Sequence, residues 1–198
     1  GTKEVEERHR INEASLDGWM REHVEGYQGP LTVLQFKGGQ SNPTYKLETP
    51  ARSYVMRRKP FGKLLPSAHA VDREFRVIAA LGKQGFPVAK AYALCTDDAV
   101  IGAAFYIMSM EEGRVFWDPT LPSQTPENRR KIFTSKIETL ANLHVFNPEQ
   151  IGLGDFGKPG NYFARQVDRW SKQYKLSETE TIDEMNRLIE WLPQTLPP

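Results

Sequence analysis

The hydrophobic pattern of this chain changes period once, and that change limits the folds open to it. Ahead of Glu111-Glu112-Gly113 the apolar residues fall in short strand-like runs: Leu31 to Lys37, Thr44 to Glu48, Ser53 to Arg58, Ala91 to Cys95 and Ala104 to Met110. One helical stretch interrupts them, from about His69 to Leu81, closing at Gly82. Beyond Gly113 the helical recurrence takes over, at Pro126 to Phe146, about Tyr162 to Tyr174, and Glu178 to Leu192. A further amphipathic helix over residues 3–26, carrying Leu16, Trp19, Met20 and Val24, leads the chain and stops at Gly26 and Gly29-Pro30. The expected fold class is α+β. It comprises a leading helix over 1–30, an antiparallel-sheet lobe with one helix over 31–110, and a helical lobe over 111–198.

Composition removes several function classes. Lys and Arg total 26 against 25 Asp and Glu, so the net charge of +1 supplies no field that gathers nucleic acid or an anionic membrane. No apolar run approaches the roughly 20 residues of a membrane-spanning helix. Hydrophobic residues at 39% are enough for a packed core, which excludes global disorder. The single cysteine, Cys95, cannot make an internal disulfide, and with four scattered histidines it forms no zinc-spaced set. A reducing cytoplasm is the expected location. The oligomeric state is not legible.

The chemistry is local. The turn Gly38-Gly39-Gln40-Ser41-Asn42-Pro43 is longer and richer in small polar residues than a hairpin needs. Successive N–H groups in such a turn can point into one concavity and hold phosphate oxygens, although a plain hairpin has the same letters and no Walker Gly-Lys-Ser/Thr follows. Alternation along Ser53 to Arg58 puts Val55 and Arg57 on one face, with Tyr54, Met56 and Arg58 on the other. On the next helix Glu74 falls inside the apolar stripe of Val71, Phe75, Ile78 and Leu81. A carboxylate on a packing face needs a cation, and Arg57 is the candidate; the competing reading has Glu74 at the stripe's edge, reaching solvent.

With these residues in view, the sequence resembles the aminoglycoside phosphotransferase family of protein-kinase-like enzymes. The resemblance rests on Gly38-Gly39-Gln40-Ser41-Asn42-Pro43-Thr44-Tyr45, on Tyr54-Val55-Met56-Arg57-Arg58 and on Asp72-Arg73-Glu74-Phe75. Lys63-Leu64-Leu65-Pro66-Ser67-Ala68-His69 and Gly152-Leu153-Gly154-Asp155-Phe156-Gly157 resemble the branch that forms the kinase-like domain of acyl-CoA dehydrogenase-type proteins. The family implies ATP and Mg as cofactors and a small-molecule hydroxyl as acceptor of the terminal phosphoryl group. It implies that Gly39, Gln40, Ser41 and Asn42 cover the phosphates. Arg57 stands where most kinases have lysine, with Glu74 as its partner and Lys59 as the substitute cation. Met108 guards the adenine pocket, and backbone groups around Ser109, Met110 and Glu111 meet the ring. Arginine for lysine is a departure, since a planar guanidinium is not an ammonium point charge.

Other letters mislead. Gly152 to Gly157 fits G-x-G-x-x-G but follows Asn147-Pro148, outside the strand-turn-helix setting of a dinucleotide site. Asp155-Phe156-Gly157 spells a kinase metal motif with no His-Gly-Asp ahead of it, so Asp155 reads as a loop residue. His144, on the Ile132, Phe133, Ile137 and Leu140 face, reads as a core histidine, and Phe163, Val167, Trp170 and Tyr174 read as core. The acids Glu178, Glu180, Asp183 and Glu184 read as a solvated helix start. The family's catalytic loop and metal-binding acids are absent from these letters, and the first residue is Gly1. The expectation is therefore a truncated portion, inactive alone, with metal ligands outside the chain. The alternative is a noncatalytic nucleotide-binding or interaction module.

Overall fold

The computed structural model describes residues 1–38, 42–62, 69–157 and 160–197. Gly39, Gln40 and Ser41 of the glycine-rich turn, and Lys63 to Ala68 of the following motif, lie outside the described residues. Two compact units are present, 1–154 and 155–198.

The first unit is built on an antiparallel sheet. Its strands are β1 (Thr2–Lys3), β2 (Thr32–Phe36), β3 (Thr44–Glu48), β4 (Ser53–Arg58), β5 (Ala91–Cys95) and β6 (Phe105–Ser109), in the order β1-β2-β3-β4-β6-β5. The five longer strands match the alternating runs of the sequence to within a residue at most ends. The period of two then sorts their side chains. Tyr45, Leu47, Tyr54, Met56, Phe105 and Ile107 face one side and form the main core.

Helix α1 (Glu13–His23) closes that core. Asn12 caps it by accepting from Ser15 N–H at 3.0 Å. Leu16 and Met20, one turn apart, are fully buried, and Trp19 meets Phe105 edge-on at 4.8 Å. Burying each such side chain contributes about 1.5–3 kcal/mol. The helix is shorter than the 3–26 expected from periodicity. Residues 1–12 instead give strand β1 on the sheet edge and a 3-10 turn, Glu7–His9. Tertiary bonds override local pattern there: Tyr45 OH donates to His9 O at 2.9 Å, and Glu6 N–H donates to Gln35 Oε1 at 3.2 Å.

Lys3 and Arg8 both donate to the Glu6 carboxylate and hold its pKa down from 4.5 to about 2. A depressed carboxyl contributes stability above its unfolded value and loses it as pH falls through the folded one. The urea midpoint should therefore fall as pH drops from about 4.5 toward 2, and Glu6→Gln should make that fall shallower. An identical pH dependence in the variant would contradict this.

Helix α2 (Val71–Lys83) lies on the opposite face, with Val71, Phe75 and Ile78 against Ala104 and Tyr106. It runs through Gly82, where closure was expected. Gly85 ends it at φ +73°, with Phe86 N–H donating to Leu81 O at 3.2 Å.

Helix α3 (Pro126–Val145) completes the first unit, capped by Thr125. None of its residues is buried, and Phe133, Ile137 and Leu140 are 44%, 59% and 44% exposed. The expected core position of His144 is thereby corrected: the residue is exposed, because no described layer covers that stripe.

The second unit holds α4 (Tyr162–Ser177), α5 (Asp183–Trp191) and a 3-10 turn, Leu192–Gln194. Phe163 and Trp170, expected in a core, are exposed, since two helices and a turn enclose no interior. Asp155 lies in a turn, and Gly152 to Gly157 follows turns instead of a strand.

Candidate functional site

Register places the chemistry. On the sheet face shared with α2, two rows of side chains cross β3, β4 and β6: Thr44, Arg57 and Tyr106 in one, Lys46, Val55 and Met108 in the next. A cavity of about 800 Å³ opens over the second row. Phe36, Lys46, Val55 and Met108 line it together with Ser109 to Gly113, the segment that leaves β6. A volume of this order suits a nucleotide-sized ligand. Ser109 anchors the leaving segment, its N–H donating to Lys90 O at 2.9 Å and its hydroxyl accepting from Lys90 N–H at 2.8 Å. The hydroxyl also donates to Glu111.

One row along the strands lies the charge pair. Arg57 Nε is 2.8 Å from Glu74 Oε2, each side chain 35% exposed. The contact is ionic and not an aligned hydrogen bond, since the buried Nε has no hydrogen-bond acceptor among the described residues. An ion pair this open contributes only about 0–1 kcal/mol to stability, so stability does not explain its position. The Glu74 carboxylate is also held from two other elements. Asn42 Nδ2 donates to Oε1 at 3.0 Å, and Tyr106 OH donates to Oε2 at 3.1 Å. Burial first, and then the adjacent Glu74 charge, push the Tyr106 hydroxyl well above its ordinary pKa and keep it a donor.

The sequence-named residues are thus distributed in three places. Arg57 of β4, Glu74 of α2 and Asn42, two residues ahead of β3, come together. Met108, Ser109, Met110 and Glu111 come together along the cavity. Lys59 is not a partner of Glu74 among the described residues; its N–H donates to Ala104 O at 2.9 Å. Gly39, Gln40 and Ser41 fall outside the description. Sequence reasoning missed Lys46, Tyr106 and His69. Lys46 was available from pairing, because strand alternation puts it beside Val55 once the β3–β4 register is known. Tyr106 and His69 reach the cluster through tertiary contacts that carry no local pattern.

Among the described residues no group of three His, Cys, Asp or Glu side chains is placed to hold a metal ion, and no helix is long and apolar enough to cross a membrane.

A sheet with a strand-borne cation against a helix-borne acid, a cavity ending at the strand that leads to helices, and an α+β order define a kinase-like fold. Comparison with known proteins agrees. A crystal structure described as a "putative aminoglycoside phosphotransferase" from Ralstonia eutropha superposes with a TM-score of 0.78 at 54% identity, covering 95% of this chain and 54% of that one. The sequence profile of the phosphotransferase enzyme family, APH, matches residues 32–198, and the chain belongs to that family. Curated relatives include "Probable acyl-CoA dehydrogenase IBR3" of Arabidopsis thaliana, 45% identical, and "Acyl-CoA dehydrogenase family member 11" of Homo sapiens, 41% identical. Each match covers 98% of this chain and 25% of the relative. The chain therefore spans about a quarter of the length of those two relatives.

Proposed function

We infer that this chain supplies the ATP-binding part of a phosphotransferase whose acceptor is a small-molecule hydroxyl. The observation that carries the reading is the Arg57 and Glu74 pair, set one row beyond a cavity lined by Met108 and the Ser109 to Gly113 segment. In this arrangement the adenine ring occupies the cavity against Val55 and Met108, and backbone groups around Met110 address its edge. The triphosphate runs along the strands toward Arg57, whose guanidinium neutralises phosphate charge. ATP fits the donors present. No cluster of acids among the described residues is placed to hold Mg, which, bound with the nucleotide, would neutralise charge between the phosphates.

In the transfer itself the acceptor hydroxyl oxygen forms a bond to the terminal phosphorus as the bond to the bridging oxygen breaks, giving a phosphate ester, ADP and the proton released from the hydroxyl. We favour a hydroxyacyl acceptor, which the relatives named as acyl-CoA dehydrogenases support, whereas the name of the Ralstonia structure supports an aminoglycoside. The lone buried Cys95 fits a reducing cytoplasm as the place of work.

The sequence contains no His-Gly-Asp triplet, so the 198-residue chain is expected to bind ATP in calorimetry and to transfer no phosphate to hydroxyl acceptors with Mg-ATP. Absence of ATP binding would remove the reading. Turnover would show that the acids doing the chemistry lie among residues given other roles above.

A further inference from the structure

Asn42 belongs to the glycine-rich turn, where a phosphate ligand would be expected, yet it is 4% exposed and its amide is engaged at both ends. Its Nδ2 donates to Glu74 Oε1 at 3.0 Å, while its Oδ1 lies 2.8 Å from His69 Nδ1. The opposite amide orientation would set an oxygen against the carboxylate, so chemistry fixes this one. It also fixes the histidine: facing an oxygen that can only accept, Nδ1 carries the proton. His69 holds φ at +58°, a left-handed conformation that disfavours a side chain, directly before α2. Ala70 gives that helix no side-chain cap. The three residues join the turn, the start of α2 and the acid that faces Arg57.

We propose that Asn42, held by His69, is a positioning residue: it fixes the Glu74 carboxylate through Oε1 so that Oε2 sets the place of Arg57 at the phosphates. The proposal rests on the nucleotide reading above. It differs from direct phosphate contact in what it makes interdependent. Asn42 then acts on ATP only through Glu74, and His69 acts only through Asn42.

Two double-mutant cycles test it on the 198-residue chain, Asn42→Ala with Glu74→Ala and His69→Ala with Asn42→Ala. Each is read both by urea unfolding and by calorimetric affinity for ATP. Coupled neighbours deviate from additivity by factors of about 2 to 100. The expected result is that each single substitution weakens ATP binding about fivefold or more and each double does so no further than its worse single. Asn42→Ser replaces Asn42→Ala if the latter does not fold. Additive losses in ATP affinity would overturn the proposal in favour of an independent phosphate contact. Coupling in unfolding with unchanged ATP affinity would overturn it in favour of a purely structural link. A wild-type chain that binds no ATP sinks the nucleotide reading itself, and this role with it; binding by wild type with additive cycles sinks this role alone.

Discussion

Arg57→Ala is expected to lower ATP affinity more than about tenfold while leaving the fold in place, because a charge-assisted contact to phosphate is worth about 1.5–3 kcal/mol. The fold should survive because the pair is over a third exposed on both sides and contributes little to stability. Arg57→Lys should recover part of the loss: the ammonium restores the charge but not the two-pronged guanidinium geometry. Calorimetry with ATP, set beside thermal unfolding of the same samples, checks both halves. Unchanged affinity in Arg57→Ala would take this residue out of the site. A collapsed melting temperature would mean that its role is structural.

The neighbouring residue should behave in the opposite way. Arg58 points to the other face of β4 and is fully buried. Its guanidinium donates from Nε to Tyr45 OH at 3.0 Å and from Nη1 to Lys59 O at 2.7 Å. It also lies 3.7 Å from the centre of the Phe61 ring, while Nη2 has no hydrogen-bond partner among the described residues. No acid is among these partners; among the described residues a hydroxyl, a backbone carbonyl and the Phe61 and Tyr45 rings meet the charge. Burial lowers its pKa, with Tyr45 opposing. Arg58→Ala removes the hydrogen bonds, the ring contact and a large volume, and is expected to destabilise by roughly 2–5 kcal/mol. Arg58→Met keeps most of the volume without the desolvated charge and should cost less than half as much. Urea unfolding of the two variants checks this. Equal losses would place the stabilisation in the guanidinium's bonds, and negligible losses would deny that the residue is buried as described. Adjacent arginines on one strand are thus expected to separate into a stability effect and a binding effect, divided by the period of two.

That period is also why much of the site was legible. Once Ser53 to Arg58 is a strand, Val55 and Arg57 must share a face. Once Val71 to Lys83 is a helix, Glu74 must turn inward with Phe75 and Ile78. Both inferences use geometry that every strand and helix obeys. The strand β1 was not legible, because two polar residues have no periodicity and their pairing with β2 comes from tertiary contact alone. The helices α3 and α4 show the converse limit. An apolar stripe predicts that something can cover it, but not what does, and the residues it marks as core, His144 and Trp170, are exposed. Asn42 was legible as a residue of the candidate site, but its contacts were not. Turn composition proposes phosphate contact, whereas the two bonds to Glu74 and His69 depend on how α2 docks.

The central proposal is that nucleotide occupies the cleft over the Lys46, Val55 and Met108 row with its phosphates toward Arg57. Amide shifts of the isotopically labelled chain during ATP titration test it most directly. Perturbations are expected to concentrate in β3, β4 and the Met108 to Gly113 segment, and to be lost in Arg57→Ala at the same ATP concentration. Perturbations centred on α1 and the opposite sheet face, or none at concentrations that saturate ATP-binding proteins, would contradict it.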